Sequence, residues 1–331
     1  MNIINVVSWF GLVVLSFYLI IVGKTLLIPL VIAIVIWYLI NALTKTYRRF
    51  TLDNYAFGLT AAILTVVAVI WFVIDLTSAN IAEVVAKAPK YQENLQQLIT
   101  KALGFLNLKE TPNLTHIISD INFSKIISHL VGGLSSIASN AGIILLYVVF
   151  LLIEQNTFSQ KLSLVTGGAE RINADIRTYI WIKTLVSLLT ASVSLLIMKL
   201  VGVDFAEFWA LVIFFLNYIP NIGSILGTLF PSLIALVQFD IYWFIVVAGS
   251  LTAAQFAIGN VLEPRLMGRS LNLSTLVIFF SLVFWGTVWG ILGMILCVPI
   301  MVIVMIVLAH FPKSRPIAIL LSGDGRVNCE L

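Results

Sequence analysis

Long stretches of apolar residues, separated by short polar segments, make up most of the hydrophobic pattern of this chain. Each stretch is close to the ~20 residues that a helix needs to cross the hydrocarbon core of a bilayer. The stretches cover residues 3–22, 25–43, 54–74, 131–153, 179–200 and 241–262. The pattern therefore predicts an all-α polytopic membrane protein with about five to six full spans.

Two further uncharged stretches are too long for a single crossing. One has 32 residues between Glu207 and Asp240, and the other has 40 residues between Arg269 and His310. As straight helices they would measure about 48 Å and about 60 Å at ~1.5 Å per residue. The hydrocarbon core is only about 30 Å thick, so each stretch is expected to be broken.

Helix-breaking residues lie near the middle of both stretches. Pro220 and Gly223 interrupt the first, and Gly286 and Gly290 interrupt the second. We therefore predict two re-entrant helical hairpins, which enter the membrane and turn back within it. Irregular backbone survives at membrane depth only where it is buried in protein or lines a wet cavity. Paired broken segments are for this reason a good indication of a transporter's substrate site.

The two broken stretches also repeat each other in sequence. Three features recur in the same order: Leu-Val-Ile-Phe-Phe at 211–215 and 276–280, Ile-Leu-Gly at 225–227 and 291–293, and a later proline at Pro231 and Pro299. Each copy follows one apolar span, which gives two repeat units, 179–237 and 241–310. Because each unit has an odd number of spans, the second unit is predicted to be inverted in the membrane relative to the first.

Residues 78–136 have a different pattern, in which charges of both signs return while apolar residues keep helical spacing. We expect an extramembrane amphipathic helical arm, whose first helix is opened by Pro89. One apolar face would consist of Leu95, Leu98, Ala102 and Phe105. The arm would lie on the membrane surface or on a neighbouring subunit. A small helical cap without a separate role fits the pattern equally well.

The pattern divides the chain into five parts. These are a three-helix membrane segment at 1–77, the arm at 78–136, a fourth span with a cytoplasmic connection at 137–177, a transport core of two inverted helix-plus-hairpin units at 178–310, and a tail at 311–331. The positive-inside rule indicates that both termini are cytoplasmic. The basic residues that carry this argument are Lys45, Arg48, Arg49, Arg265, Arg269, Lys313 and Arg315.

Composition agrees with a membrane protein, since 60% of the 331 residues are hydrophobic and 10% are charged. The net charge of +4 is small and lies in loops, so nucleic acid is not an expected partner. Two cysteines, Cys297 and Cys329, exclude a disulfide scaffold. The three histidines match no metal-binding spacing. No hydrolase motif or phosphate-binding loop occurs in the sequence, and we expect neither a metal, a cofactor nor an enzymatic activity.

Candidate transport residues come from both hairpins and from the span between them. They are Asn217, Tyr218, Pro220, Asn221, Gly223, Ser224 and Gly227 in the first hairpin, Gln255, Asn260 and Glu263 in the span, and Gly286, Thr287, Gly290, Gly293 and Pro299 in the second hairpin. Polar groups beside the free N–H donors of a broken helix suit a hydroxylated or anionic solute. Alternatively, they satisfy the backbone groups that Pro220 frees. Glycines in such places are more often packing residues than ligands.

Several polar residues within the spans have structural interpretations. Gln255 and Asn260 are five residues apart and share no tight helix face, which favours hydrogen bonding between helices over substrate contact. Lys183 and Lys199 are expected to snorkel from the two ends of their span. Small residues on that span predict the close approach of another helix. They are Thr184, Ser187, Ala191 and Ser194.

Glu263 is expected to end its span, because Pro264 follows it and should stop the helix. One role for this carboxylate is to carry a coupling proton or a cation. The other is a structural clamp with Arg265 or Arg269, and the clamp is slightly favoured.

Three segments resemble the AI-2E family of bacterial transporters. They are Asn-Tyr-Ile-Pro-Asn-Ile-Gly at 217–223, Glu-Pro-Arg-Leu-Met-Gly-Arg-Ser-Leu at 263–271, and Phe-Trp-Gly at 284–286 with Gly-Ile-Leu-Gly-Met at 290–294 and Pro299. The resemblance implies a multi-pass protein of the bacterial inner membrane that forms oligomers. Members of that family include an exporter of the quorum signal autoinducer-2, and others look like sodium(lithium)/proton antiporters.

Pattern and resemblance together predict a secondary transporter that exports a small polar solute such as autoinducer-2. The alternative is a sodium(lithium)/proton antiporter, which usually requires buried carboxylates. The acidic residues of the transport core are few and lie at expected helix ends, which disfavours the antiporter without excluding it. Expected partners are the solute or a monovalent cation, the lipid bilayer and further copies of the chain.

Overall fold

The computed structural model describes residues 3–49, 54–105, 132, 139–166, 169–219, 222–267, 273–311 and 313–325 of the chain. Regular structure in these ranges is helical, and one isolated antiparallel bridge joins Leu273 to Ser322. Five helices are long and apolar enough to cross a membrane, and three shorter apolar helices accompany them. The predicted class, an all-α polytopic membrane protein, is confirmed.

Ten helices cover most of the described residues. They are α1 (Ile3–Val22), α2 (Lys24–Arg48), α3 (Tyr55–Phe105), α4 (Ala141–Thr166), α5 (Ala169–Val201), α6 (Ala206–Leu216), α7 (Ile222–Gln238), α8 (Ile241–Met267), α9 (Thr275–His310) and α10 (Arg315–Leu321). The predicted bounds of the first span agree with α1, and Gly23 alone separates it from α2.

The helices form two compact units. One contains Met1–Val66, Ser139–Ile182 and Met267–Leu331, and the other contains Val67–Ala138 and Lys183–Leu266. The first repeat copy therefore belongs to the second unit, and the second copy belongs to the first unit. Each unit is described by itself below.

In the first unit, α9 is a hairpin of two helices that turn back on each other. The break is at Gly290, whose φ of 67° and ψ of −145° no side-chain-bearing residue adopts readily. The Ser281 hydroxyl donates to the Cys297 carbonyl at 3.5 Å, across the two arms. A methyl group on Gly293 would lie 2.0 Å from the Trp285 carbonyl oxygen. This glycine therefore permits the close contact of the arms.

The predicted break at Gly286 is wrong, because this residue lies within a regular helical arm. It faces Met294, whose terminal methyl would be 2.8 Å from an added Cβ. Glycine there leaves room for the Met294 side chain of the other arm. The re-entrant position of this hairpin in a membrane stays a prediction.

In the second unit, α6 and α7 form the other hairpin. The chain leaves the helix at 217–219 and α7 begins at Ile222. Pro220 and Asn221, predicted to break the helix and to line its tip, lie outside the described residues. A Cβ on Gly223 would be 1.8 Å from the Leu216 carbonyl oxygen. As in the other hairpin, the glycine after the turn allows the backbones of the two helical arms to come into contact.

Helix α3 corrects the predicted start of the arm. It continues through Pro89 without a break, so Pro89 does not open a helix. A proline removes one backbone hydrogen bond, and contacts beside it support the helix. Tyr91 donates to an Asp204 carboxylate oxygen at 2.6 Å, and the Lys87 ammonium lies 3.8 Å from the same oxygen. The rest of the arm, at 106–131 and 133–136, and the side chains of its predicted apolar face lie outside the described residues.

The polar connection predicted at 155–177 is also helical. Helix α4 continues to Thr166, and α5 already begins at Ala169. Polar residues there form helix as readily as a loop, because straight-chain polar side chains have good helix propensity. The apolar part of α4 covers Ala141–Gln155, and residues 131 and 133–138 of the predicted fourth span lie outside the described residues.

Helix α8 does not stop at Glu263, contrary to the prediction. It begins at Ile241, where the Asp240 side chain accepts from the Tyr242 and Trp243 amides at 2.9 and 3.1 Å. It then passes through a π-helical turn, Ala257–Leu262, and ends at Met267. The ring of an internal proline clashes with the carbonyl four residues earlier. The wider π turn moves that carbonyl, and the helix accepts Pro264.

Candidate functional site

A cleft of about 620 Å³ lies within the second unit, among α5, α6, α7 and α8. Its polar lining consists of Lys183, Asn217, Ser224, Thr228, Ser232, Thr252, Gln255, Asn260 and Glu263. Its apolar lining consists of Ile219, Ile225, Leu229, Phe244, Ala248 and Phe256. Gly259 also lines the cleft. Volume and mixed lining are typical of a small-molecule site.

The π-helical turn of α8 determines which side chains reach the cleft. In a regular α-helix, residues five apart are separated by about 140° around the axis. The wider turn at Ala257–Leu262 reduces this separation. Gln255, Asn260 and Glu263 consequently line the same cleft. The expectation that Gln255 and Asn260 do not share a face was wrong, because it assumed a uniform α-helix.

Gln255 connects the two helices on either side of the cleft. Its amide donates to the Thr228 hydroxyl of α7 at 3.0 Å, and its side chain is buried. The predicted hydrogen bond between helices is thus present. A methyl group on Gly227 would lie 3.3 Å from the same amide nitrogen and 3.2 Å from Ile213. Gly227 therefore serves packing, and it leaves room for the Gln255 side chain.

Asn217 and Tyr218, at the end of α6, both bond to α5. The Asn217 amide donates to the Ser187 hydroxyl at 3.0 Å, and both side chains are buried. The Tyr218 and Thr184 hydroxyls are 2.8 Å apart. Tyr218 is not among the residues that line the cleft. These two bonds connect the hairpin to α5, where Ala191 and Ser194 are buried as well. The close approach of another helix to α5 stays a prediction.

Glu263 forms an ion pair with Lys183 and not with Arg265, whereas Arg269, the other predicted partner, lies outside the described residues. The Lys183 ammonium donates to a Glu263 carboxylate oxygen at 2.5 Å, and the two side chains are 7% and 16% exposed. The snorkelling predicted for Lys183 is wrong for the same reason, because its ammonium turns inward to α8. Arg265 is exposed on the last turn of α8. An arginine two residues away on the same helix points away from Glu263, which explains the different partner.

The candidates of the second hairpin belong to the other compact unit and are not part of the lining of this cleft. Gly290 forms the turn, and Gly293 and Gly286 serve packing. The Thr287 hydroxyl donates to the Val283 carbonyl of its own helix at 2.8 Å. Pro299 is buried inside its helical arm. Their substrate-binding role stays a prediction.

Among the lining residues that were not predicted as site residues are Lys183, Ser232, Thr252 and Gly259. For Lys183 a signal was available. It lies near the start of the apolar span Ile176–Val201, and an ionisable residue within a span indicates a functional site by default. Ser232, Thr252 and Gly259 carry no such signal, because single small residues are common in membrane helices.

Chemically, the cleft offers both hydroxyl and amide groups and aliphatic and aromatic groups. Such a surface binds a small solute with several hydroxyl or carbonyl groups by hydrogen bonds. No group of three His, Cys, Asp or Glu side chains able to hold a metal ion occurs in the part of the chain that the structure describes. Nucleophile and base side chains in a catalytic arrangement are not part of the lining either.

Comparison with known proteins agrees with a transport role. A sequence profile described as AI-2E family transporter matches residues 10–313. The chain is 31% identical to the AI-2 transport protein TqsA of Escherichia coli (strain K12), over 97% of this chain and 96% of that protein. It is 30% identical to the putative transport protein YhhT of the same organism, over 83% and 81%. It is also 31% identical to a putative transport protein of Haemophilus influenzae, over 90% and 89%. With its apolar helices and these relatives, the chain is a membrane transporter of the AI-2E family and not an enzyme.

Proposed function

We propose that this protein is a secondary transporter that exports a small polar solute such as autoinducer-2 through the cleft of its second unit. The observation that carries the proposal is the lining of that cleft by hydroxyl and amide groups of two different elements, the α6–α7 hairpin and α8. Autoinducer-2 is named for one relative, the AI-2 transport protein. At 31% identity, the name of that relative supports a small polar solute as the class of substrate more than it supports autoinducer-2 itself.

Geometry supports a solute of this kind in two ways. Ser224 and Thr228 lie on α7 and present hydroxyl groups, and Asn260 lies opposite on α8 and presents an amide. These groups donate and accept, so a hydroxylated solute exchanges its hydration for equivalent bonds. Phe244 and Phe256 supply apolar surface for its carbon skeleton.

A second candidate is the sodium(lithium)/proton antiporter, and one observation favours it. Glu263 lines the cleft as a largely buried carboxylate, and intramembrane carboxylates carry protons and cations in many transporters. Against it, the bonded Lys183 ammonium already occupies the place that a cation would take. The exporter is therefore the preferred proposal.

The proposal includes a location and an assembly. The protein resides in the bacterial inner membrane with both termini in the cytoplasm, and it acts as a homo-oligomer. The bacterial origin of the relatives supports the first part. The basic residues in the last turn of α2, Lys45 and Arg48, support the orientation.

The test is transport by purified protein in liposomes. Autoinducer-2 is trapped inside, and its release is measured with and without an imposed proton or sodium gradient. A sodium-dependent proton flux without solute release would favour the antiporter. If neither flux exceeds that of empty liposomes, the proposed function is wrong.

A matched pair of glycine variants shows whether solute passes through the cleft. Gly259 lines the cleft, and Gly249 lies on the same helix, exposed, and outside the lining. An added Cβ meets nothing within 4 Å at either position. We expect Gly259→Leu to reduce the release rate at least tenfold because its side chain fills the cleft, which corresponds to about 1.4 kcal/mol or more. Gly249→Leu should transport at the normal rate, and equal losses in both variants would exclude the cleft as the route.

A further inference from the structure

Two charged side chains face each other in a cleft whose lining is otherwise neutral. Lys183 and Glu263 are the charged residues among those that line it. Their ion pair measures 2.5 Å, and both side chains are more than four-fifths buried. The pair of Lys199 and Glu207, at 2.6 Å, differs in that its side chains are 55% and 41% exposed. Water can therefore replace a missing partner in the second pair far more readily than in the first.

The backbone that holds Glu263 is itself unusual. The π-helical turn at Ala257–Leu262 directly precedes it and turns the side chain into the cleft. π-Helical turns inside α-helices are frequently found at functional sites. A structural clamp between α5 and α8 would not need to line the cleft, so a role toward the solute is indicated.

We propose, building on the proposed function, that the Lys183–Glu263 pair determines the charge selectivity of the cleft. While the pair is intact, the cleft accepts uncharged hydroxylated solutes and rejects small anions and monovalent cations. Each partner occupies the place in which an ion of its own sign would bind. Removing one partner therefore creates a site for a small ion of the same charge as the lost side chain.

Desolvation is the reason for this selectivity. A small anion that bound Lys183 would have to displace the Glu263 carboxylate, which would remain buried without a partner. A cation that bound Glu263 would displace the Lys183 ammonium, which would then remain buried without a partner. The new ion pair only replaces the one that is lost, so nothing offsets the cost of leaving the displaced charge buried without a partner. A neutral solute leaves the pair unchanged.

The experiment measures the unfolding temperature of the purified full chain in detergent. Acetate, added as its N-methyl-D-glucamine salt, is the small anion. Sodium or lithium, added as the HEPES salt, is the small cation, and acetamide is the neutral counterpart of acetate. We expect Glu263→Gln to be stabilised by acetate, and Lys183→Gln by sodium or lithium, each by about 3 °C at saturation. Wild-type protein should respond to neither ion, and acetamide should act on all three proteins alike.

Two controls separate charge selectivity from general salt effects. Glu207→Gln and Lys199→Gln break the exposed ion pair and should show the wild-type response to every ion. The double variant Lys183→Gln/Glu263→Gln leaves no charge unpaired, so it should also show no ion response. If Glu263→Gln does not survive solubilisation, its yield in acetate is compared with its yield in HEPES. A higher yield in acetate supports the proposal.

The proposal is overturned if the folded single variants respond to ions no more than wild-type protein does. It is equally overturned if wild-type protein is stabilised by acetate or sodium as strongly as the variants, or if yields are the same in both salts. The measurement needs no transport assay. Failure of the proposed exporter function would appear in liposomes alone, while failure of charge selectivity would appear in these unfolding temperatures.

Discussion

Buried polar side chains at the end of α6 show how single residues hold the first hairpin. Asn217 is 9% exposed and donates to Ser187, which is fully buried. Burial in a membrane protein increases the cost of an unsatisfied group, because no water is available to replace the partner. The same rule applies to Lys183 and Glu263, whose buried side chains carry full charges and satisfy each other. In each case the partner lies on another helix, so the contact fixes the position of a helix as well as that of a side chain.

At this scale we predict that Asn217→Ala lowers the free energy of unfolding by about 1–3 kcal/mol, because it removes the partner of the buried Ser187 hydroxyl. Thermal unfolding in detergent measures the loss. Asn41→Ala is the matched control, since the Asn41 amide donates to the Trp37 carbonyl of its own helix at 3.0 Å. It should cost less than about 1 kcal/mol. Equal losses in both variants would mean that the Asn217 bond does not hold the hairpin.

At the scale of elements, the two hairpins share one kind of contact, in which a glycine of one arm touches a backbone carbonyl of the other arm. In α6–α7, Gly223 touches the Leu216 carbonyl, and in α9, Gly293 touches the Trp285 carbonyl. Both glycines follow the turn and allow two helical arms to approach at backbone distance. The sequence repeat thus corresponds to a structural repeat of two tight hairpins.

We expect Gly223→Ala and Gly293→Ala each to destabilise the protein by about 1–3 kcal/mol or more, because the new Cβ would overlap a backbone carbonyl. Gly249→Ala, with open space around its Cβ, should be neutral or stabilise by about 0.5–1 kcal/mol through helix propensity. Unfolding temperatures in one detergent give the comparison. If the three variants have the same stability, the predicted packing role of Gly223 and Gly293 is wrong.

At the scale of the whole molecule, the sequence repeat is divided between the two compact units. The first hairpin belongs to the unit with Lys183–Leu266, and the second belongs to the unit with Met267–Leu331. The odd number of spans in each repeat predicts that the hairpins enter the membrane from opposite sides.

Thiol labelling tests this arrangement. In a Cys297→Ala, Cys329→Ala background, single cysteines replace Ser224 of the first hairpin and Thr287 of the second. A membrane-impermeant reagent should label the first faster from outside and the second faster from the cytoplasm. The measured quantity is the ratio of the two rates for each position, because alternating access exposes a tip to both sides in turn. If both positions label faster from the same side, the inverted repeat is wrong.

Much of the fold follows from sequence, because apolar length and period are local properties. The bounds of α1 and the two broken hairpins are predicted from uncharged stretches and glycines alone, and so are the membrane class and the family. Asn217 and Ser224, two of the predicted site residues, line the cleft, and their binding of a solute stays a prediction.

Tertiary structure decided the rest. The sequence places Arg265 and Arg269 nearest to Glu263, but Lys183, eighty positions earlier, is its partner because α5 packs against α8. No local pattern indicates a π-helical turn, yet that turn carries α8 through Pro264 and directs Asn260 and Glu263 into one cleft. In the same way, Pro89 stays inside α3 because Tyr91 and Lys87 contact Asp204. Local propensity is worth about 1–3 kcal/mol at such positions, which is comparable to the hydrogen bonds to charged groups that distant segments form.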